Sequence, residues 1–185
     1  MVPPHHTAIR FRWKYRDDRQ SAGGRGQARI APPDSLRFDW VATLGLASGA
    51  AVLVGDSVRW ADPEESFHSL VPAIPMLWAS LGTVRPPAAD AAVSGKADPP
   101  RELWRFVRGA DTLTYVATAA TPRVLEAEWR QGGKVVARSR TVYDAEARPA
   151  SARVDFPEGS ARFEFTVVAV DTMVVIAPAL WRSRR

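Results

Sequence analysis

Apolar and cationic residues alternate one by one along the first segment of the chain: Ile9, Arg10, Phe11, Arg12, Trp13, Lys14, Tyr15 and Arg16. Successive side chains of a β-strand point to opposite faces of the sheet, so this spacing is typical of a strand. The pattern therefore predicts a strand over residues 9–16 with one apolar face and one cationic face.

The same alternation returns in both halves of the chain. Glycines at Gly23, Gly24 and Gly26 predict a flexible connection out of the first strand. Further strands, about ten in all and joined by short turns, are predicted near residues 28–30, 36–40, 50–54, 57–60, 103–108, 113–119, 125–129, 135–143, 152–156 and 163–167.

The middle of the chain has a different period. Over residues 63–82 the apolar positions recur every three or four residues, which indicates helix. Pro72 and Pro75 lie inside this segment, and proline cannot continue a helix, so two short helices are expected at 63–71 and 75–82. Residues 85–100 are rich in Ala, Pro, Asp and Gly and predict a flexible loop, and residues 1–7 predict a disordered N-terminus.

Nearly every predicted strand has an apolar face that must be buried. A short helical insert cannot cover a flat sheet of about ten strands, so the sheet is expected to curl. We predict one mainly β (α+β) domain over residues 1–185. Its architecture is an open, curved antiparallel half-barrel of about ten strands with the broken helix 63–82 as a lid.

The apolar side chains of such a half-barrel line its inside. An interior rich in tryptophan and phenylalanine can hold a hydrophobic ligand, and the same side chains can equally fill a core, so the spacing leaves both interpretations open. The candidate ligand-binding residues on the strands and the lid are Phe11, Trp13, Leu36, Phe38, Trp40, Leu77, Trp78 and Leu81.

Two leucines interrupt the small-residue loop 43–49. Leu44 and Leu46 have no evident core to enter from such a loop. We therefore expect them to contact a membrane or a partner protein, with an inward-folded loop as the alternative.

Composition and spacing exclude several kinds of site. Without cysteine the chain has no disulfide, no thiolate metal ligand and no acylated lipoprotein cysteine. The histidines His5, His6 and His68 do not have the spacing of metal ligands, and no serine or carboxylate pattern matches a catalytic site. We expect a non-catalytic protein without a metal or a cofactor.

Charge and the chain ends add limits on partners and location. The formal net charge is +5, but the basic residues are spread along the sequence, which disfavours a nucleic-acid partner. No apolar run is long enough for a membrane-spanning helix. The N-terminus lacks a signal-peptide pattern, so the protein is expected either to be cytoplasmic or to begin downstream of a leader.

Five local features follow one another in a familiar order. They are a P-x-x-hydrophobic-Arg-hydrophobic strand start at 33–39, Leu-Gly at 44–45, Val-Arg-Trp at 58–60, a proline-started helical insert at 74–82 and a second P-x-x-hydrophobic start at 149–152. In order and local motif, residues 8–176 resemble the lipoprotein localisation factors of the bacterial outer membrane, the LolA/LolB-like superfamily. The anchoring cysteine of the receptors and the opening helix of the family are not evident, so the resemblance is to a divergent member.

The resemblance implies an open half-barrel that binds acyl chains of lipoproteins or other amphiphiles in its apolar cavity. It implies a non-catalytic carrier or receptor in lipoprotein or lipid trafficking, located in the periplasm or at the outer membrane, and we expect a monomer. The alternative is an envelope interaction module with a filled core, whose arginine-rich face docks an acidic partner or anionic lipid headgroups.

Overall fold

Twelve antiparallel strands form a single sheet in the computed structural model, which describes residues 4–45, 47–65, 67, 73–85 and 90–182. The strands are β1 (Thr7–Arg16), β2 (Ser21–Ala31), β3 (Ser35–Ala42), β4 (Ser48–Val54), β5 (Ser57–Asp62), β6 (Ala92–Asp98), β7 (Arg101–Arg108), β8 (Asp111–Thr118), β9 (Val124–Gln131), β10 (Lys134–Tyr143), β11 (Pro149–Phe156) and β12 (Ala161–Asp171).

The sheet is open, and most neighbouring strands in it are also consecutive in the sequence. Its strand order is β5-β4-β3-β2-β1-β12-β11-β10-β9-β8-β7-β6, so that the first and last strands meet at the centre and the mid-chain strands β5 and β6 form the two edges. Every pair is antiparallel, and apart from β1 with β12 every pair joins strands that follow each other in the chain. The predicted open antiparallel architecture is confirmed, with twelve strands in place of about ten.

A short helix, α1 (Ile74–Ser80), covers part of the concave face and packs against β9, β10 and β11. Pro75 lies in the first turn of α1, and Gly82, with φ of 76°, lets the chain reverse after the helix. In the first predicted helix, Glu64, Glu65 and Phe67 are helical, and its other residues from 66 to 71 lie outside the described part of the chain. No described helix has the length and apolarity needed to cross a bilayer.

The segment expected to be a flexible loop over 85–100 contains a strand. Residues 92–98 form β6, which pairs with β7 in unbroken register from Ala92–Val107 to Asp98–Arg101. All of its side chains are exposed, because an edge strand held by backbone hydrogen bonds needs no buried face. The alternation that revealed the other strands is absent here, which is why a composition-based prediction failed.

The glycines expected to make a flexible connection are part of β2. Gly26 lies opposite Phe11 of β1 and Trp40 of β3, and a Cβ at Gly26 would come within 2.5 Å of the Phe11 ring. Gly24 is closed in further, because a Cβ there would meet the Val41 carbonyl oxygen at 2.0 Å. These glycines therefore make room for aromatic rings and neighbouring backbone inside the half-barrel.

The strand at the start of the chain reaches further than expected. Thr7, in the segment predicted to be disordered, begins β1 and is buried, whereas residues 1–3 lie outside the described part. β1 therefore pairs along its whole length with β2 and spans the centre of the sheet.

The C-terminal segment crosses the outer face of β3 and β5. The Arg37 guanidinium donates to the Leu180 carbonyl oxygen and lies 5.3 Å from the Trp60 ring, whose Nε1 donates to the Trp181 carbonyl oxygen at 3.2 Å. Arg37 is 1% exposed and forms an ion pair of 2.8 Å with Asp39. A buried cation on the outer face is thus paired and covered, as burial of a charge requires.

The glycine contact predicts a difference between two Gly-to-Ala substitutions. We expect Gly26→Ala to lower the free energy of unfolding by about 2 kcal/mol, because the new methyl group overlaps the Phe11 ring. Gly95→Ala on β6 is the matched control: its Cβ would meet nothing nearer than the Leu103 carbonyl oxygen at 3.4 Å. Urea denaturation measures both, and equal losses would contradict the packing role of Gly26.

Candidate ligand-binding interior

The eight residues predicted to line a binding cavity lie together inside the half-barrel. Five come from β1 and β3, and three come from α1 and its end, and each is no more than 4% exposed: Phe11, Trp13, Leu36, Phe38, Trp40, Leu77, Trp78 and Leu81. The structure thus brings both predicted groups into one apolar core. Whether they bind a ligand stays a prediction.

Aromatic rings make direct contact across the centre of this core. Phe11 stacks on Phe38 with ring centroids 5.4 Å apart and meets Phe165 of β12 edge to face at 4.9 Å. Trp40 lies 6.1 Å from Phe67, a residue of the segment before α1. The contacts continue across β1 and β12, where Trp13 stacks on Phe163 at 5.7 Å. The rings therefore fill the space between these strands in the structure as it stands.

The lid is held to the walls by hydrogen bonds that end on backbone carbonyls. On β10, Thr141 Oγ1 donates to the Ala79 oxygen at 2.8 Å and Tyr143 Oη donates to the Gly82 oxygen at 2.8 Å. From the lid itself, Trp78 Nε1 donates to the Gly55 oxygen in the β4–β5 turn at 3.1 Å. The helix is thus joined to both sides of the half-barrel.

Arg85 ties the chain after α1 to the rim of the barrel. Its guanidinium carbon lies 5.4 Å from the Trp78 ring centroid, and its nitrogens lie 3.9 Å from an Asp34 oxygen and 3.8 Å from an Asp56 oxygen. Tyr115 Oη of β8 donates to the Arg85 carbonyl oxygen at 3.0 Å. The two ion pairs are longer than hydrogen bonds, and Nε of Arg85 is buried without a hydrogen-bond partner.

Burial sets the protonation of the groups around the lid. It raises the pKa of Tyr143 to about 12 and that of Tyr115 further above its usual range, so both phenols keep the proton with which they donate. Burial also raises the pKa of Asp56, and the attraction of Arg85 at 3.8 Å offsets only part of that rise. The lid tethers made by the tyrosines are therefore insensitive to pH in the neutral range.

A cavity of about 270 Å³ opens beside the start of α1. Its apolar walls come from the helix and from β7, β8 and β9 and consist of Ile74, Pro75, Phe106, Leu113 and Trp129. Three charged residues stand beside them: Asp56, Arg108 and Asp111. Phe106 and Leu113 also belong to the apolar core, so this cavity reaches core residues beside the lid.

The loop leucine predicted to contact a membrane or partner is exposed. Leu44 lies in a turn between β3 and β4 with 89% of its surface accessible and a φ of 62°. Leucine rarely adopts this left-handed conformation, which costs about 1 kcal/mol, so the turn presents an apolar side chain at some expense of stability. Leu46, the second predicted loop residue, and His68 lie outside the described residues.

Several residues of the site were missed at the level of sequence. Thr141 and Tyr143 stand on the inward face of β10, which they share with Ala137 and Ser139. Hydroxyl groups on a strand face that is predicted to be buried are the sequence signal that could have indicated polar contacts to a lid. Arg85 carried no such signal, because its neighbours at Asp34 and Asp56 are distant in sequence.

The lid tethers predict the effect of removing one hydroxyl. We expect Thr141→Val to lower the free energy of unfolding by about 1 kcal/mol and to speed hydrogen exchange in residues 74–82, because the buried bond to Ala79 is lost with little change of shape. Thr166→Val, at an exposed position of β12, is the control and should change neither quantity. Unchanged exchange in the lid would contradict the tether.

The strained turn predicts a gain of stability. We expect Leu44→Asn to raise the free energy of unfolding by about 0.5–1 kcal/mol, because asparagine tolerates the left-handed conformation and Leu44 buries little surface. Val168→Asn replaces an exposed aliphatic residue of β12 outside the left-handed region and should give no gain. Thermal unfolding of both variants decides between strain relief and a general surface effect.

Two solved structures match this fold over almost the whole chain. A LolA superfamily protein from Nitrosomonas europaea is 11% identical, with a TM-score of 0.66 over 98% of this chain and 91% of that one. A domain assigned to outer membrane lipoprotein sorting from Vibrio parahaemolyticus is 7% identical, with a TM-score of 0.58 over 96% and 92%. No protein-family model and no curated protein sequence matches. The resemblance inferred from the sequence is confirmed as a likeness of fold: the chain has the LolA-like open half-barrel.

Proposed function

We propose that the protein is a non-catalytic carrier or receptor that binds an acyl chain of a lipoprotein, or another amphiphile, inside its half-barrel. The observation that carries the proposal is a continuous aromatic interior covered by a seven-residue helix that side chains tether at few points. The fold likeness to a domain assigned to lipoprotein sorting supports a place in the bacterial envelope.

Binding requires the lid to move, since the interior is filled in the present state. A 16-carbon chain gains on the order of 12 kcal/mol by leaving water, at about 0.8 kcal/mol for each CH₂. The hydrogen bonds of Thr141, Tyr143 and Trp78 to backbone contribute about 1 kcal/mol each. An acyl chain can therefore offset the loss of these tethers, and no specific polar contact is needed.

The cavity beside the start of α1 is the proposed entrance. Its walls of Phe106, Leu113 and Trp129 are continuous with the apolar core, and Ile74 and Pro75 belong to the helix that has to move. A chain entering here would displace the lid from β9 and β10 and contact the rings of the interior. In this scheme the exposed Leu44 contacts the membrane or the protein that delivers or receives the amphiphile.

A second candidate is an envelope interaction module that uses the same fold with a permanently filled core. The close ring contacts, such as Phe11 with Phe38 at 5.4 Å, favour it, because they leave the interior packed by the protein itself. The arginine-rich outer face would then dock the partner. The two candidates differ in whether an acyl chain enters the barrel.

Quenching by a brominated fatty acid tests entry. We expect saturable quenching at micromolar ligand, with most of the lost fluorescence coming from buried tryptophans such as Trp78. Trp78→Phe should therefore reduce the amount of fluorescence that the ligand quenches, whereas Trp60→Phe, which removes an indole of the outer face beside Arg37, should leave that amount unchanged. Intrinsic tryptophan fluorescence, titrated below the micelle concentration of the ligand, is the measurement.

Two results would contradict the carrier function. Absence of saturable quenching would favour the filled-core module. Quenching that Trp60→Phe reduces and Trp78→Phe does not would show that the fatty acid binds on the outer face. Far-UV circular dichroism of each variant controls for loss of fold.

A further inference from the structure

Four cationic side chains stand together on the outer face of β1 and β2, opposite the aromatic interior. We call Arg10, Arg12, Lys14 and Arg25 the cationic patch; all four are exposed. Within the described residues none of these side chains forms an ion pair. Two acids lie on the neighbouring strands: Asp39 of β3, which is held by Arg29 at 2.6 Å and Arg37 at 2.8 Å, and Glu164 of β12, which is in register with Lys14.

Two of these cations are direct neighbours across the strands. Arg12 and Arg25 are partners in the β1–β2 register, and like charges in such a pair weaken a sheet. On β10 and β11 of the same face, arginines are paired with acids: Arg138 lies 2.8 Å from Glu128, and Arg153 lies 2.7 Å from Asp155. The cationic patch therefore differs from these paired arginines: it is a cluster of neighbouring cations without ion pairs.

Two open grooves run along the patch. One of about 750 Å³ is lined by Arg12, Lys14 and Arg25 and extends to the turn of Leu44, and a second of about 420 Å³ extends to Val168. Leu44 is 89% and Val168 61% exposed, so an aliphatic side chain stands at the far side of each groove. Cations and exposed aliphatic groups thus share one surface.

We propose that this surface docks onto a bilayer that contains anionic phospholipids. Lipid phosphates would lie against the cationic patch, which removes the repulsion between Arg12 and Arg25, and Leu44 and Val168 would enter the interfacial layer. The combination favours a lipid surface over nucleic acid, because the aromatic residues of β1 that could stack on bases all point into the barrel.

The docking face is separate from the proposed entrance. The cationic patch is on the convex side of β1 and β2, whereas the cavity beside α1 is lined by β7, β8 and β9. Docking therefore leaves the lid free to move over the opposite half of the sheet. The inference does not rest on acyl-chain binding: a packed interior would leave the surface as it is.

Sedimentation with vesicles tests the docking. Vesicles of phosphatidylglycerol and phosphatidylcholine are compared with pure phosphatidylcholine. Each cation beside an anionic bilayer strengthens binding roughly fivefold, so Arg12→Gln with Arg25→Gln should weaken binding to the anionic vesicles roughly 25-fold. The matched control is Arg138→Gln with Arg153→Gln, which removes the same charge from the same face but from paired arginines, and should change binding by less than about threefold.

Salt and competition complete the test. Binding of the unsubstituted protein should fall steeply between about 50 and about 500 mM salt. Equal loss in both double variants would overturn the proposal, since net charge alone would then govern binding. Equal binding to both vesicle types would also overturn it, as would tighter binding to a single-stranded oligonucleotide than to anionic vesicles at the same salt. Thermal unfolding of Arg12→Gln with Arg25→Gln shows whether the sheet is intact.

Discussion

The structure depends on how an open sheet covers its own apolar side. Twelve antiparallel strands carry a concave face too large for a seven-residue helix, so the sheet has to curl until side chains from β1, β3 and β12 contact one another. Close approach of these strands is possible because β2, which lies between β1 and β3, presents Gly24 and Gly26 inward. The bulk of the aromatic rings is thereby matched by missing side chains on the strand beside them.

Helix α1 covers part of the concave face and is positioned there by hydrogen bonds as well as by apolar contacts. Its buried face supplies Leu77 and Trp78 to the core, yet its position along the sheet is set by hydrogen bonds from Thr141 and Tyr143 to backbone oxygens. Hydrogen bonds have direction and a small net free energy, whereas apolar burial has little direction. Hydrogen bonds thus set the position of the lid, and apolar burial holds it against the sheet.

The two faces of β1 carry two separate proposals. The inward side chains Phe11 and Trp13 belong to the interior that we propose for acyl chains, and the outward Arg12 belongs to the surface that we propose for anionic lipid. An amphiphile carrier has to contact both an acyl chain and a membrane. Because alternate side chains of a strand point to opposite faces, β1 carries an apolar surface and a cationic surface about one strand thickness apart. The experiments on the two faces are independent of each other.

The sequence by itself determined the strands with one buried face and the presence of a helical insert. It also determined that Phe11, Phe38 and Trp40 lie on the buried faces of their strands. The reason is that an apolar spacing of two residues, or of three to four, is a local property of the chain. Only the tertiary structure decided that residues 92–98 form an edge strand, that Gly26 lies under an aromatic ring and that Arg85 reaches Asp34 and Asp56. Pairing, close packing and ion pairs join residues far apart in the chain, and no local pattern encodes such a meeting.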